Sequence, residues 1–289
     1  MYERILIPTD GSDSAGRAIT SALSISSRFD AQCHGIFVLD TREIPQGIEV
    51  DLTQLLTDQG ESALDSFEAA ANETDVSTVV ELIEGSNRIH EEILAYADAK
   101  ESDLIVMGSH GRRGLERFLL GSVAEHTLRH ASIPVMIVRS EPIDKSIDRI
   151  LLPTDGSRGA SAAIAHALEL ATAFDATLHV INVVDVHALT GEHLSHTIYQ
   201  EFERMGQEAV DSVIEDANDA GVESIEASVL TGTPSRSITE YVDERDIDLI
   251  VMGTHGRSGI QRYLLGSVTE RVLRTASTPV LTVPSITNE

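Results

Sequence analysis

The sequence predicts an α/β protein built from two tandem, doubly wound (Rossmann-like) units, each with a five-stranded parallel sheet. The first observation behind this is duplication. Arg4–Ser12, RILIPTDGS, returns 145 residues later as Arg149–Ser157, RILLPTDGS, with eight of nine positions identical. Gly108–Val138 returns at the same offset as Gly253–Val283, with 19 of 31 positions identical. Each copy is preceded by the same pentapeptide, DLIVM, at Asp103–Met107 and Asp248–Met252. A period this long with two copies indicates duplicated domains rather than a solenoid. The second observation is strict alternation of short apolar runs with segments of helical period, the pattern of a parallel sheet with helical crossovers. The third is length: 289 residues suffice for two domains of ordinary size. The boundary is expected in Glu141–Ser146, EPIDKS, giving domains 1–143 and 144–289. That connection is too short to act as a free linker, so the halves are expected to touch.

Taken in order, Ile5–Thr9 is a short, branched apolar strand of the kind buried on both faces. Ser12–Arg28 is a helix with Ser12 as N-cap. Gln32–Leu39 is the second strand, and a loop containing Pro45 and Gly47 leads to helical periodicity over Glu49–Asn72. Ser77–Ile83 is a strand, Arg88–Lys100 a helix, and Asp103–Met107 the fourth strand. Ser122–Ala131 is the last helix of the repeat and Val135–Val138 its fifth strand. The second repeat follows suit, as Ile150–Thr154, Ser157–Phe174, Thr177–Val184, Glu192–Ala220, Ser224–Leu230, Pro234–Arg245, Asp248–Met252, Ser267–Ala276 and Val280–Val283.

In each repeat the fourth strand runs into Gly-x-x-Gly, nine residues intervene, and Gly-Ser opens the last helix. In open α/β sheets, ligands bind in the crevice beyond the strand ends. Glycines let the backbone approach a ligand, and the first amides of a helix suit an anion. Gly108, Gly111, Gly121 and Ser122 in repeat 1 therefore read as a polyphosphate cradle, as do Gly253, Gly256, Gly266 and Ser267 in repeat 2. The N–H groups of Val123 and Val268 would join it. The plainer alternative, that these glycines only make turns and helix caps, is weakened by the recurrence of the spacing.

This block of strand, G-x2-G-x9-G-S, helix and strand closely resembles the nucleotide-binding signature of the universal stress protein family, of the ATP-binding type, here as two tandem domains. The resemblance implies strand order 3-2-1-4-5, with the switch point between strands 1 and 4. That order puts Pro8-Thr9-Asp10 beside Gly108, and Pro153-Thr154-Asp155 beside Gly253. Asp10 and Asp155 would then hold Mg²⁺ against phosphate oxygens, since Mg²⁺ takes one or two carboxylates plus phosphates and water. Taken alone, each is equally a turn-forming residue in Asp-Gly-Ser. Val38 and Val183, at the end of the second strand, are candidates for the adenine wall, although core packing is the default away from the resemblance. Met107 and Met252 flank the pocket by position, again with core filling as the default. His110, Arg112 and Arg113, with His255 and Arg257 in repeat 2, would contact phosphates or, for the arginines, offset acidic neighbours. As general bases the two histidines lack an orienting partner in the sequence. The implied ligand is ATP, with ADP or AMP as alternatives.

The repeats differ ahead of the third helix. Repeat 2 has Gly232-Thr233-Pro234, with Pro at a good first-turn position. Repeat 1 has Gly85-Ser86-Asn87-Arg88 and two extra residues before Gly108. The two sites need not bind equally, and repeat 2 is the better candidate.

Composition narrows the class. The formal charge is −26, with 47 acidic residues against 21 Lys and Arg, of which only Lys100 and Lys145 are lysines. Acidic excess with scarce lysine resembles proteins of halophilic archaea, where salt screens self-repulsion; the plainer alternative is an ordinary acidic protein. It disfavours nucleic-acid binding, which needs basic patches. The single Cys33 excludes an internal disulfide and reads as a buried thiol. No signal peptide or long apolar span is seen, so a soluble cytoplasmic protein with no membrane partner is expected. The fifth strands, Val135–Val138 and Val280–Val283, would pair within the chain as an internal pseudo-dimer, since such pairing is common in the family; a homo-oligomer is also possible. The function implied is a nucleotide-dependent sensor or regulator in a stress response. The alternative is a slow ATPase, for which no catalytic residue stands out.

Overall fold

The computed structural model describes residues 2–42, 49–111, 120–144, 146–185, 196–256 and 265–285. The chain divides into two compact units, Met1–Lys145 and Ser146–Glu289. Unit 1 runs β1 (Arg4–Pro8), α1 (Asp13–Phe29), β2 (Gln32–Asp40), α2 (Glu49–Ala71), β3 (Thr78–Gly85), α3 (Ile89–Ala99), β4 (Leu104–Gly108), α4 (Ser122–His130) and β5 (Val135–Val138). Its strands lie in the order β3-β2-β1-β4-β5, all parallel.

Unit 2 runs β6 (Arg149–Pro153), α5 (Arg158–Phe174), β7 (Thr177–Asp185), α6 (His196–Asp219), β8 (Ile225–Gly232), α7 (Pro234–Arg245), β9 (Leu249–Gly253), α8 (Ser267–Thr275) and β10 (Val280–Val283). Its order is β8-β7-β6-β9-β10, again all parallel. Both units thus have the order implied by the resemblance. The neighbouring first and fourth strands pair at Ile5–Leu104 and Ile150–Leu249.

The apolar runs become central strands because helices cover both faces. Ile5, Leu6, Ile7, Ile150, Leu151 and Leu152 are all inaccessible to solvent. Burying each such side chain is worth about 1.5–3 kcal/mol. Helix α1 starts where Ser12 Oγ accepts the Ala15 amide, and stops where Asp30 turns left-handed at φ 53°. Between them Ala15, Ala18, Ile19, Ala22 and Ile25 are buried at helical spacing. Ser26 on the same face meets the Cys33 thiol at 2.8 Å. Burial raises that thiol's pKa to about 11, so Cys33 is an inert core residue.

Most boundaries shift by a residue or two from the sequence-based expectation, and three pairs of shifts bear on the site. Asp103 and Asp248 precede β4 and β9 instead of opening them. The carboxylate of Asp103 accepts the Glu3 and Arg4 amides at 2.8 and 2.9 Å, and that of Asp248 accepts the Asp148 and Arg149 amides at 2.9 and 2.8 Å. Each aspartate therefore caps the entry of the adjacent strand. Gly108 and Gly253 are the last residues of β4 and β9 and not the first of the loop. Strands β3 and β8 extend to Gly85 and Gly232 because their ladders with β2 and β7 continue that far. Expectations resting on Pro45, Gly47 and residues 192–195 fall outside the described residues. Among the described residues, no helix is long and apolar enough to cross a membrane.

Candidate functional site

At the end of β6 the chain makes the turn Thr154-Asp155-Gly156-Ser157. Asp155 Oδ1 accepts the Ser157 amide at 2.9 Å, and the Gly156 amide donates to Thr154 Oγ1 at 3.2 Å. Gly156 has φ +73°, a left-handed value that disfavours side chains. Asp155 is therefore a turn former through one oxygen. Its other oxygen, Oδ2, lies where a Cβ on Gly256 would come within 2.7 Å. The turn-forming reading of Asp155 thus holds at Oδ1, and Oδ2 is the oxygen nearest Gly256. Unit 1 repeats the design: Asp10 Oδ1 accepts the Ser12 amide at 3.0 Å, and a Cβ on Gly111 would come within 2.5 Å of Asp10 Oδ2.

Across the crevice, β9 ends against the start of α5. A Cβ on Gly253 would overlap the Gly159 backbone. In unit 1 a Cβ on Gly108 would lie 2.8 Å from the carbonyl carbon of Ser14. The Gly266 amide donates to the Thr254 carbonyl at 2.8 Å, tying the start of α8 to the residue after β9. Gly121 does the same with Ser109 at 2.7 Å.

Helices α4 and α8 begin at Gly121 and Gly266 with no side-chain cap. By contrast, Ser12 and Ser157 cap α1 and α5. The first-turn amides of a helix have no carbonyl partner within it. Residues Ser267, Val268 and Thr269 thus present an uncapped N-terminus with its partial positive charge. Farther in, Thr269 Oγ1 donates to the Gly253 carbonyl at 2.9 Å.

In unit 2 these pieces enclose a cleft of about 510 Å³. Its polar end is the Asp155 turn, His255, Gly256 and the start of α8. Its apolar end comes from β7 (Ile181, Val183, Val184), Phe202 on α6, Ile238 on α7 and Met252 on β9. Of the residues expected in repeat 2, Pro153, Thr154, Asp155, Val183, Met252, Gly253, His255, Gly256, Gly266, Ser267 and Val268 all line it. Arg112, Arg113 and Arg257 lie outside the described residues. In unit 1, Pro8, Thr9 and Asp10 end β1 next to β4, which carries Met107 and Gly108; His110 and Gly111 follow it, and Gly121, Ser122 and Val123 open α4. Val38 lies in β2, where its Cγ1 would be 3.1 Å from a Cβ on Gly85.

The orienting partner that the sequence did not offer to the histidines is the preceding hydroxyl. Thr254 Oγ1 lies 2.9 Å from His255 Nδ1, and Ser109 Oγ lies 2.8 Å from His110 Nδ1. Asn182, Phe202, Gly206, Ile238 and Thr269 also line the cleft and were not expected. Asn182 had a readable signal: it is the one polar residue inside VINVV, where repeat 1 has Phe37.

The loop difference between repeats has a structural outcome. Pro234 opens α7 and lines the unit 2 cleft. In unit 1, Glu92 Oε1 gathers the amides of Ser86 and Asn87 at 3.1 and 2.9 Å, and the Asn87 side chain at 2.9 Å. The same Glu92 side chain packs near Gly85. An acidic group thus stands at the strand ends of unit 1.

A profile of the universal stress protein family matches residues 1–139 and 146–284. A universal stress protein of Methanocaldococcus jannaschii is 39% identical over 143 residues, which is 48% of this chain and 83% of that protein. One of Mycobacterium tuberculosis is 30% identical over 192 residues, covering 63% of this chain and 62% of the relative. Among solved structures, a universal stress protein from Archaeoglobus fulgidus shares the fold with a TM-score of 0.71 at 23% identity, over 99% of this chain and 97% of that one.

Proposed function

The chain belongs to the universal stress protein family, and on that premise we propose that it binds an adenine nucleotide, with ATP as the first choice over ADP or AMP, in the unit 2 cleft. The observation that carries this reading is the uncapped N-terminus of α8 facing the Asp155 carboxylate in a cleft of about 510 Å³. Nucleotide and cofactor sites are typically concave, largely apolar and about 300–1,000 Å³. The anion cradle suits phosphates, and the wall of Val183, Phe202 and Met252 suits the flat, largely apolar base.

The cleft is lined by two carboxylates, Asp155 and Asp185, and a carboxylate beside an anion cradle fits Mg²⁺, which takes its remaining ligands from phosphate oxygens and water. Asp155 would hold the ion through Oδ2, as Asp10 would in unit 1; bound there, Mg²⁺ neutralises phosphate charge. The chain's own contributions are distinct. The Ser267 and Val268 amides bind phosphate, Gly256 leaves room for the carboxylate, and Thr254 orients the His255 ring. Occupancy of the site is the signal, read by a partner in a stress response in the cytoplasm.

The test is to purify the protein at high salt, denature it, count extracted nucleotide per chain, and titrate the stripped protein with MgATP. Bound adenine nucleotide, or saturable uptake lost in Asp155→Ala, supports the reading. No nucleotide and no uptake overturns it. Product release in the same titration separates a slow ATPase from a sensor: turnover that disappears in Asp10→Ala/Asp155→Ala identifies the enzyme, and binding without turnover identifies the sensor.

A further inference from the structure

We infer that Asn182 is a positioning residue peculiar to unit 2, which holds the Asp155 turn in its binding geometry and makes this cleft the tighter of the chain's two phosphate sites. The inference rests on the nucleotide reading above and names the residue that sets its strength. Asn182 is 6% exposed in the middle of β7. A buried amide is costly unless hydrogen-bonded. Its Nδ2 donates to the Thr154 carbonyl at 2.8 Å. Thr154 is the residue before Asp155, so the amide ties β7 to the turn that aims the carboxylate.

Helix α6 is shaped around this side chain. A Cβ on Gly206 would lie 2.5 Å from Asn182 Oδ1 and 3.1 Å from its Cγ. Glycine at 206 gives the amide its space, and the helix backbone holds it in place. Unit 1 builds the corresponding region from Phe37 and Gly60. Phe37 is 7% exposed in an apolar cluster with Leu39, Ala63 and Leu64. A Cβ on Gly60 would meet Leu82 at 2.5 Å and Phe37 at 2.9 Å. Phe37 has no hydrogen to donate to the Thr9 carbonyl.

The two aspartate turns themselves are nearly the same. The aspartate-to-serine bond is 2.9 Å in unit 2 and 3.0 Å in unit 1, and the glycine-to-threonine bond is 3.2 Å in both. The Asn182 bond is a difference that acts directly on the turn.

The experiment uses the full chain with Asp10→Ala, which silences the unit 1 site and leaves unit 2 to be read. MgATP and Mg-tripolyphosphate are the probes, by calorimetry, with apo melting temperature measured alongside. Asn182→Leu keeps most of the volume but cannot donate. Asn182→Val removes the donor with a smaller side chain. Gly206→Ala pushes the amide from the α6 side. Each variant should weaken both probes severalfold, up to the about five- to tenfold that one lost hydrogen bond can supply. Equal weakening of both probes is the sign of a misplaced turn, because tripolyphosphate has no base. Unchanged affinity in a folded Asn182→Leu or Asn182→Val protein overturns the inference, even if its melting temperature falls. Weakening of ATP alone also overturns it, since Asn182 would then be reading the base. A parent chain that binds neither probe removes the nucleotide reading and this inference with it.

Discussion

Gly256→Ala should damage the unit 2 site while leaving its fold intact. The added Cβ would lie 2.7 Å from Asp155 Oδ2 and 3.7 Å from Cγ, where ordinary contact begins near 3.4 Å. The carboxylate oxygen must therefore move by roughly 0.7 Å. It is not free to swing, because Oδ1 holds the Ser157 amide at 2.9 Å. Breaking a hydrogen bond to a charged group costs about 1.5–3 kcal/mol. Keeping it by an off-rotamer twist costs about 0.5–1.5 kcal/mol, and the oxygen that would face Mg²⁺ is still displaced. Since 1.4 kcal/mol is tenfold in affinity, the loss in MgATP binding should be about tenfold or more. Gly111→Ala is the matching change in unit 1, with its Cβ 2.5 Å from Asp10 Oδ2. Gly16→Ala is the control. Nothing lies within 4 Å of its Cβ inside α1, and it should stabilise by about 0.5–1 kcal/mol without touching binding. Calorimetric titration and thermal melts read both quantities. A Gly256→Ala protein that binds MgATP within twofold of the parent would refute the placement of Asp155 in the site.

Gly253→Ala should destabilise unit 2 by about 1–3 kcal/mol, because its Cβ would overlap the Gly159 backbone; an unshifted denaturant midpoint would contradict that close approach. His34 and His179 are buried, and burial lowers the pKa of each in the fold. Unfolded histidine titrates near 6.5, so below that pH the unfolded chain binds more protons and stability falls as pH drops toward the folded pKa. Denaturant melts between pH 7.5 and 5.5 should show the loss, and His179→Phe should shrink it; an unchanged slope in that variant would count against it. With a formal charge of −26, the melting temperature should rise as KCl is taken from 0.1 M toward 1 M, because the Debye length falls from about 10 to 3 Å. A flat or falling curve would dismiss self-repulsion as a material cost.

Much of the site was legible because it was written twice. Repetition of PTDGS and of G-x2-G-x9-GS marked the same two stretches in each half, and eight residues of those two stretches in repeat 2 line one cleft. Element ends were legible to within a residue or two, because caps and glycines are local signals. Asp103 escaped that reading because its partners, the amides of Glu3 and Arg4, are about a hundred residues away. The His255 partner escaped for a different reason. Thr254 adjoins it in sequence, but neighbouring residues meet only when the backbone turns their side chains together.

The sequence by itself determined the duplication, the α/β alternation, the acidic surface and the glycine-aspartate constituents of the cradle. Each is a matter of spacing or count, set by short-range chemistry along the chain. Tertiary structure decided how close each aspartate comes to the glycine across the crevice, which helices start without a side-chain cap, and how the otherwise similar units differ. Those depend on contacts such as Asn182 to Thr154 and Asn182 against Gly206. Such contacts exist only once strands far apart in sequence lie side by side and a helix closes over them.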